Sequence, residues 1–555
     1  MFLLGVKLMP TNLIYAELPQ ETLHEEALKR ISDPKIIENY ISDESVIIIG
    51  KADEVVFPKD EKQIAEILKE ANRRKIRVTI SGAGTGITGS RVPLGGIVLS
   101  TEMLTEVYPR QLLGGELVEY SESGKKYSIF IGRDEKTGEF YAIAPPGIPV
   151  EVFKKMVESK GLYYPPDSTE TTAFLGGNVA TNASGARTFH YGSTREYVRR
   201  LRVVLPNGDV LNIRRGEVFA DENKFTIVLT NGECINLELP TYNMPKVEKN
   251  SAGYYIKPKM DLIDLFIGSE GTLGVISEIE VRLIEKPKTI LPIFAHFLKE
   301  EDAIRFAKVL KAHKQVLSTY SVNVLSIEFF DKNSVEFISK KYPPPKIPAK
   351  SNGIIYFELE VRDEDRVQEA LEKITSLLEK CNVLETMATF FPEWAREAKE
   401  IRHALPEGVN NFVRSHGTRK VATDIVVPEE NFDEMMAMYH QVGDETGIPY
   451  VIFGHIGNNH LHFNFLPRTR EELEKAIRAC TLLLKKAVQL GGTVSGEHGV
   501  GKKRYVEDNE ERPLLELMYG QKGLMEIAKL KHALDSDHIL NIGNIVPEEY
   551  LRQIS

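Results

Sequence analysis

Apolar residues recur along this chain at two spacings. After Pro58, the segment EKQIAEILKEANRRK sets Ile64, Ile67, Leu68 and Ala71 three or four residues apart, which predicts a helix with one buried face. Ile76, Val78 and Ile80 then alternate with polar residues, which predicts a strand over Arg77–Ile80, and Ile97-Val98-Leu99 reads as another. Residues 20 to 42 are charged and helical in pattern, and roughly residues 106 to 142 alternate around glycines, as hairpins do. VEVFKKMVESKG predicts a helix ending at Gly161. The next stretch, YYPPDSTETTAFLGGNVATNASGARTFHYG, has too few large apolar residues for a core of its own, so a long functional loop is expected. Strands dominate again to about residue 284, over Arg202–Leu205, Thr226–Leu229 and Val275–Leu283.

The texture changes after Lys286-Pro287, where a domain boundary is expected near residue 287. Strand-like IFAHF precedes a helix from Asp302 to Lys314, and VNVLSIEFF follows. IIYFELEV leads into a helix with Val367, Ala370, Leu371, Ile374, Leu377 and Leu378 on one face. TDIVVP leads into another helix, then YVIFGH, and helices are expected near 469 to 490 and 512 to 534. Such units predict an α+β half in which helices back one sheet.

At 555 residues the chain exceeds one ordinary core, so two to four domains are expected. A net charge of −10 argues against a general nucleic-acid footprint. Cys234, Cys381 and Cys480 lie far apart without a C-x-x-C pair, which argues against Fe–S and zinc-finger motifs and for a reducing compartment. MFLLGVKLMP lacks a basic start, a long apolar core and a small-residue cleavage site. A cytoplasmic protein without a membrane span is expected, with peripheral membrane attachment left open.

Two stretches carry chemistry. ISGAGTGITGSR holds Gly82, Gly84, Gly86 and Gly89 between two strands. Gly84, Gly86 and Gly89 satisfy G-x-G-x-x-G, but Pro93 and a second strand stand where a Rossmann helix is required. This predicts a strand–loop–strand nest whose amides cradle phosphate. The second stretch, VIFGHIGNNHLHFNF, reads as two strands joined by a tight type I′ turn at Asn458-Asn459. That turn pairs residues whose numbers sum to 917, so His455 and His462 would face each other, with Cβ atoms roughly 5 Å apart. His460 and Asn464 would share the face. Glu497, in the glycine-rich GGTVSGEHGVGKKR, is the best third ligand. A His/His/Glu set suits a divalent ion such as zinc, manganese or iron. The neighbouring His498 belongs to the residue type that moves protons near neutral pH.

In order along the chain stand SGAGTGITG, PPDSTETTAFLGGNVATNASG, IGSEGTLGVIS, HIGNNHLHFN, SGEHGVGKKR and LNIGNIV. Through this series the chain resembles the FAD-linked oxidases of the vanillyl-alcohol oxidase and p-cresol methylhydroxylase (PCMH) type. It is most similar to the D-lactate dehydrogenase, glycolate oxidase and D-2-hydroxyglutarate dehydrogenase branch. The resemblance spans roughly residues 50 to 545. It implies an α+β fold: a two-subdomain PCMH-type FAD-binding domain (1–287), an α+β, ferredoxin-like substrate and metal domain (288–534), and a segment returning to the first domain (535–555). It implies cofactor contacts in the nest at Ser81, Gly82, Ala83, Gly84, Thr85, Gly86, Gly89 and Ser90. Further contacts fall on Pro166, Asp167, Ser168, Gly176, Gly177, Thr181, Ser184, Gly185, Glu270, Gly274, Val275, Ile276 and Asn541. The nest and its flanks contain no histidine, so FAD is expected to be non-covalent.

The same resemblance implies metal ligands at His455, His462 and Glu497, a proton acceptor at His498, and substrate contacts from Arg402, Lys420 and Asn464. It departs from the family pattern H-x-G-D-G-N-x-H, with Asn458 and His460 replacing Asp and Asn, and in the ending Asn541-Ile542-Gly543-Asn544. The spacing of Lys420 to Asp424 also departs from some members. The implied reaction is oxidation of a D-2-hydroxy acid to the 2-keto acid, with a quinone, an electron-transfer flavoprotein or a cytochrome as electron acceptor and a homodimer allowed. The alternatives are an alkylglycerone-phosphate-synthase-like or aldonolactone-oxidase-like flavoenzyme, a flavin-binding subunit of a larger oxidase, and a metallohydrolase with an idle nest.

Overall fold

The computed structural model describes residues 11–21, 26–45, 47–108, 114–363, 366–388 and 391–554. The decapeptide MFLLGVKLMP, from which the lack of a leader was read, lies outside them, as do residues 22–25 and 109–113 of two segments discussed above. Among the described residues, no helix is long and apolar enough to cross a membrane.

The expected amphipathic helix forms over Glu61–Arg74. Asp60 caps it by accepting the Gln63 N–H at 2.8 Å, and Lys75 ends it in the left-handed region at φ 53°. Its apolar face joins a core with Val56, Val78, Ile97 and Leu99 of a four-stranded sheet. That sheet runs Lys29–Ile31, Glu54–Phe57, Ile97–Ser100, Val78–Ser81, with the last three strands parallel. The strand Lys29–Ile31 overturns part of the helical expectation for residues 20 to 42. Among the described residues there, only Pro34–Ile37 and Glu38–Tyr40 make helical turns. The charged side chains read as a helix surface instead line a sheet edge, where they deter pairing with another chain.

A seven-stranded antiparallel sheet follows, in the order Val210–Arg214, Val198–Val204, Val275–Glu285, Phe140–Ala144, Lys125–Arg133, Gly115–Glu122, with Leu162–Tyr163 on the side of Val275–Glu285. Glu61 ties the first helix to it by accepting from Arg202 Nε and Nη2, each at 2.9 Å. The stretch expected to be one long loop contains two short helices, Leu175–Thr181 and Thr188–Tyr191. Leu175, Asn178 and Val179 supply a small buried face, and Asn182 stops the first helix at φ 51°. Residues small enough to look like a loop were small enough to pack a helix tightly.

Lys286-Pro287-Lys288 leads from the seven-stranded sheet to an eight-stranded antiparallel one. Its order is Val383–Ala388, Thr289–Phe297, Gly353–Val361, Val322–Phe330, Tyr450–His455, His460–Phe465, Val421–Ala422, with Ile425–Val426 also on His460–Phe465. Alternation sorts its two faces. Ile293, Ala295, Ile355 and Phe357 pack with Phe306 and Leu310 of helix Glu300–Ser318. Phe294, Phe330, Ile354 and Tyr356 pack with Ala398, Ile401, Leu405 and Val409 of helix Pro392–Ser415. That helix and Lys332–Lys341 were not anticipated.

The chain then returns. Ile539 and Leu540 enter the first core, and Val78 N–H donates to Ile539 O at 2.7 Å. The turn is held by Lys531 and Asp535, both fully buried. Lys531 Nζ donates to Asp535 Oδ2, Thr272 O and Leu540 O, each at 2.8 Å. Asp535 in turn accepts the N–H groups of Ile539 and Leu540 at 2.9 Å.

Candidate active site

The glycine loop joins two parallel strands without a helix, as its sequence implied. It has room for a ligand. A Cβ built on Gly86 meets nothing within 4 Å, and one on Gly82 meets only Phe174 at 3.9 Å. Gly84 is favoured for another reason: its φ of 87° lies in the left-handed region, and Arg91 Nη1 passes where its Cβ would sit. Arg91 crosses the loop there, 5.4 Å above the Tyr40 ring, and its buried Nε has no hydrogen-bond partner among the described residues. An open amide cradle with a half-satisfied guanidinium beside it suits a pyrophosphate. Sequence reasoning missed Arg91. Ala83 is exposed and Thr85 half-buried on the same loop. Ser81 is buried at the strand end, with its hydroxyl on Gly82 O at 3.3 Å. Gly89 turns inward, its N–H donating to Asp43 Oδ2 at 2.6 Å.

Several residues expected on the cofactor also lock the cradle to the second half. Glu270 accepts from Ser90 Oγ at 2.7 Å and from the N–H groups of Val500 and Gly501 at 2.7 and 2.8 Å. Burial raises its carboxyl, and these bonds oppose the rise. Asn541 accepts the Ile80 N–H and donates to Glu270 O, both at 2.7 Å. In the altered ending, Asn544 donates to Ser90 O at 2.9 Å and accepts from Lys502 Nζ at 2.6 Å. Burial pulls the Lys502 ammonium down to about 7.

The second group lies around the helix Leu175–Thr181. Gly177 faces open space, whereas a Cβ at Gly176, Gly185 or Gly274 would collide with Pro146, Asp167 O or Val203. Pro166 and Val275 are buried and Ile276 is half-buried. Asn178 donates to Ser168 Oγ at 3.1 Å, and Thr181 Oγ1 donates to Gly177 O at 3.0 Å. Asp167 takes Lys154 Nζ at 2.8 Å. Burial would raise its carboxyl, but Lys154 and Arg187 hold it well below the usual range. Ser184 Oγ donates to Glu497 Oε1 at 3.3 Å, so this segment touches the second half at the predicted metal ligand.

The histidine hairpin differs from expectation in its register. Ile456–Asn458 form a 3-10 turn, so paired numbers sum to 915: His455 faces His460, and Phe453 faces His462. Asn459 takes the positive φ, at 54°. Alternation still keeps all three histidines on one face, with ring centroids 5.5 Å (455–460), 5.6 Å (455–462) and 4.5 Å (460–462) apart. Glu497 joins them. Its Oε1 lies 3.2 Å from His455 Nε2, and its Oε2 lies 3.9 Å from His462 Nε2. One ligand atom from each of His455, His460, His462 and Glu497 lies within 4.8 Å of the others. Burial drives the His462 ring well below its ordinary range, which keeps it neutral as a ligand must be. Burial and Lys249 lower His455, while Glu497 and Glu328 raise it and prevail. Burial opposes ionisation of Glu497, yet Lys249 and His455 hold it well below the carboxylate range.

Three partners were not found from the sequence. Asp424 accepts His460 Nε2 at 2.9 Å, Ser495 Oγ at 2.6 Å, and the N–H groups of Glu497 and His498 at 3.1 and 2.9 Å. His498 Nδ1 lies 3.2 Å from the same carboxylate. Glu328 bonds His455 Nδ1 on one oxygen and Arg402 Nε on the other. Lys249 Nζ, wholly buried, bridges Glu497 and Gly185 O. Glu328, Asp424 and Glu497 against Arg402 and Lys249 leave one negative charge in excess, and the cluster fits a divalent cation.

Of the expected substrate residues, Arg402 stands at this cluster through Glu328. Asn464 is buried two residues beyond His462 and donates to its carbonyl at 3.0 Å. Lys420 precedes the strand Val421–Ala422, which pairs with the histidine strand. It lines a cavity of about 1180 Å³ that reaches from Asp43 and Ile87 by the cradle to Asp424 and Val500. Burial, then Lys503, lowers its ammonium. Ligand pockets run from roughly 300 to 1,000 Å³, so this space takes a large ligand.

Comparison with known proteins gives two family matches along the chain. Residues 52–109 and 130–214 match the family profile "FAD binding domain", and residues 303–545 match "FAD linked oxidases, C-terminal domain". The chain is 27% identical to the glycolate oxidase subunit GlcD of Bacillus subtilis, covering 90% of each protein. It is also 27% identical to a D-lactate dehydrogenase of Anaerostipes hadrus, covering 95% of this chain and 96% of that one. A D-2-hydroxyglutarate dehydrogenase of Stutzerimonas stutzeri is 26% identical, over 88% of this chain and 90% of its own length. A solved alkyldihydroxyacetonephosphate synthase shares the fold at a TM-score of 0.59 and 15% identity, over 92% of this chain and 81% of its own. With an open nucleotide cradle facing a titratable cluster across two matched domains, the chain belongs to the FAD-linked oxidases and is an α+β, FAD-linked oxidoreductase with a PCMH-type FAD-binding domain, acting on a small molecule and passing electrons to an acceptor.

Proposed function

We propose that this protein oxidises a D-2-hydroxy acid, of the lactate, glycolate or 2-hydroxyglutarate kind, to the 2-keto acid. FAD is held non-covalently by residues 1–287, and a divalent ion is held by His455, His462 and Glu497 in residues 288–534. The carrying observation is that Ser184 and Lys249 both reach Glu497, which sets the flavin-side segment against the imidazole cluster. Bound there, FAD supplies a two-electron acceptor for the hydride at C2, and the ion supplies a Lewis acid for the hydroxyl oxygen. The chain's own residues do the rest. The Arg402 guanidinium, oriented through Nε by Glu328, turns its remaining N–H groups to the substrate carboxylate. Asp424 engages His498 Nδ1, so Nε2 keeps its lone pair and takes the hydroxyl proton. Electrons then pass to a quinone, an electron-transfer flavoprotein or a cytochrome, from a cytoplasmic or peripherally attached monomer or homodimer.

The test is anaerobic. D-lactate, glycolate and D-2-hydroxyglutarate, with L-enantiomers as controls, are mixed with the yellow protein. Bleaching of the flavin by a D-acid, lost on chelation and in His455→Ala, is expected. A panel in which no D-acid bleaches the flavin would sink the assignment. Acid precipitation should release free FAD to the supernatant. Asp424→Asn should weaken divalent-ion binding by roughly 10–100-fold. Affinity unchanged in a titration of that apoprotein would strip Asp424 of its orienting role.

A further inference from the structure

His460 stands among the expected ligands without a role of its own. Its ring is fully buried. Nε2 lies 2.9 Å from Asp424 Oδ1, and that carboxylate also accepts Ser495 Oγ and two backbone N–H groups. A carboxylate so surrounded only accepts, so Nε2 carries the ring proton. Nδ1 is left with the lone pair. That atom is buried, has no hydrogen-bond partner among the described residues, and faces Glu497 Oε1 at 3.7 Å. A buried lone pair opposite a carboxylate oxygen is costly unless something positive lies between them. Neighbouring ligand atoms around a tetrahedral ion held at roughly 2.1 Å stand about 3.4 Å apart. The Glu497 oxygens lie 3.2, 3.7 and 3.9 Å from His455, His460 and His462 respectively.

We propose that His460 is a further protein ligand, through Nδ1, to the divalent ion of His455, His462 and Glu497, with Asp424 orienting its ring. This rests on the metal site proposed above. The Asp424–His460 pair then has the form in which a ligating imidazole gives its other N–H to a carboxylate. The ligand set becomes three imidazoles and one carboxylate.

The experiment uses Co²⁺ and Cu²⁺ as probes on the full-length, metal-stripped flavoprotein. His460→Gln keeps a donor near Asp424 and removes the nitrogen at the Nδ1 position. Co²⁺ affinity by chelator competition should fall roughly 100-fold or more in that variant, at or above the top of the range for an outer partner. The visible Co²⁺ bands should shift as well. Pulsed EPR of the Cu²⁺-loaded wild type needs no variant and should count three coordinated imidazoles. Two imidazoles, or a His460→Gln protein with unchanged Co²⁺ affinity and bands, would overturn the assignment of His460 and leave the His455/His462/Glu497 site standing. A wild type that binds neither ion would overturn both.

Discussion

Replacing His498 with alanine is expected to lower kcat/KM for a D-2-hydroxy acid by roughly 10²- to 10⁴-fold, the range for losing a general base. The loss follows from the Asp424 contact, which fixes the ring so that Nε2 remains the proton acceptor. Flavin content should not change, because no hydrogen bond of the cradle passes through the His498 side chain; the bonds from Glu270 go to the Val500 and Gly501 backbone. Divalent-ion affinity should change little. A variant retaining more than about a tenth of wild-type turnover would assign the proton to another group, since even the weaker estimates exceed tenfold.

Lys531→Met is expected to destabilise the protein by about 3–5 kcal/mol, because it leaves the Asp535 carboxylate buried without its cation. Both side chains are fully buried, and Lys531 also satisfies two backbone carbonyls. Urea unfolding, followed by flavin fluorescence and circular dichroism together, measures the loss. Flavin should be released at a lower urea concentration than the sheets unfold, since the pair holds the turn that brings Asn541 to Ile80. A change below about 1 kcal/mol would mean that the pair is replaceable by packing, as some buried pairs are.

What could be read in advance divides along physical lines. Periodicity revealed the helix Glu61–Arg74, whose one buried face the pattern records, and apolar runs revealed the long central strands of the eight-stranded sheet, Thr289–Phe297, Val322–Phe330 and Gly353–Val361, which are buried on both faces. It failed at Pro392–Ser415, where Pro406 interrupts the pattern a helix search follows. It failed again at Leu175–Thr181, whose glycines mimic a loop. The clustering of His455, His462 and Glu497 was legible from strand alternation and from the glycines around Glu497. The register was not, because the hairpin closes through a 3-10 turn in place of two residues, and nothing local in Ile456-Gly457-Asn458-Asn459 decides between them. Asp424, Glu328 and Lys249 could not be found by spacing. They reach the cluster from 71, 127 and 248 residues away from Ser495, His455 and Glu497 respectively. Their placement depends on how whole sheets are stacked.

The bond between Ile80 and Asn541 spans 461 residues. A ribosome adding about 5–20 residues per second needs roughly half a minute to a minute and a half to travel that far. Throughout that interval the nascent chain carries a glycine loop whose strand lacks its last neighbour. Vitamin-derived dinucleotide taken up earlier would meet an unfinished receptacle, so tight loading belongs after release from the tunnel.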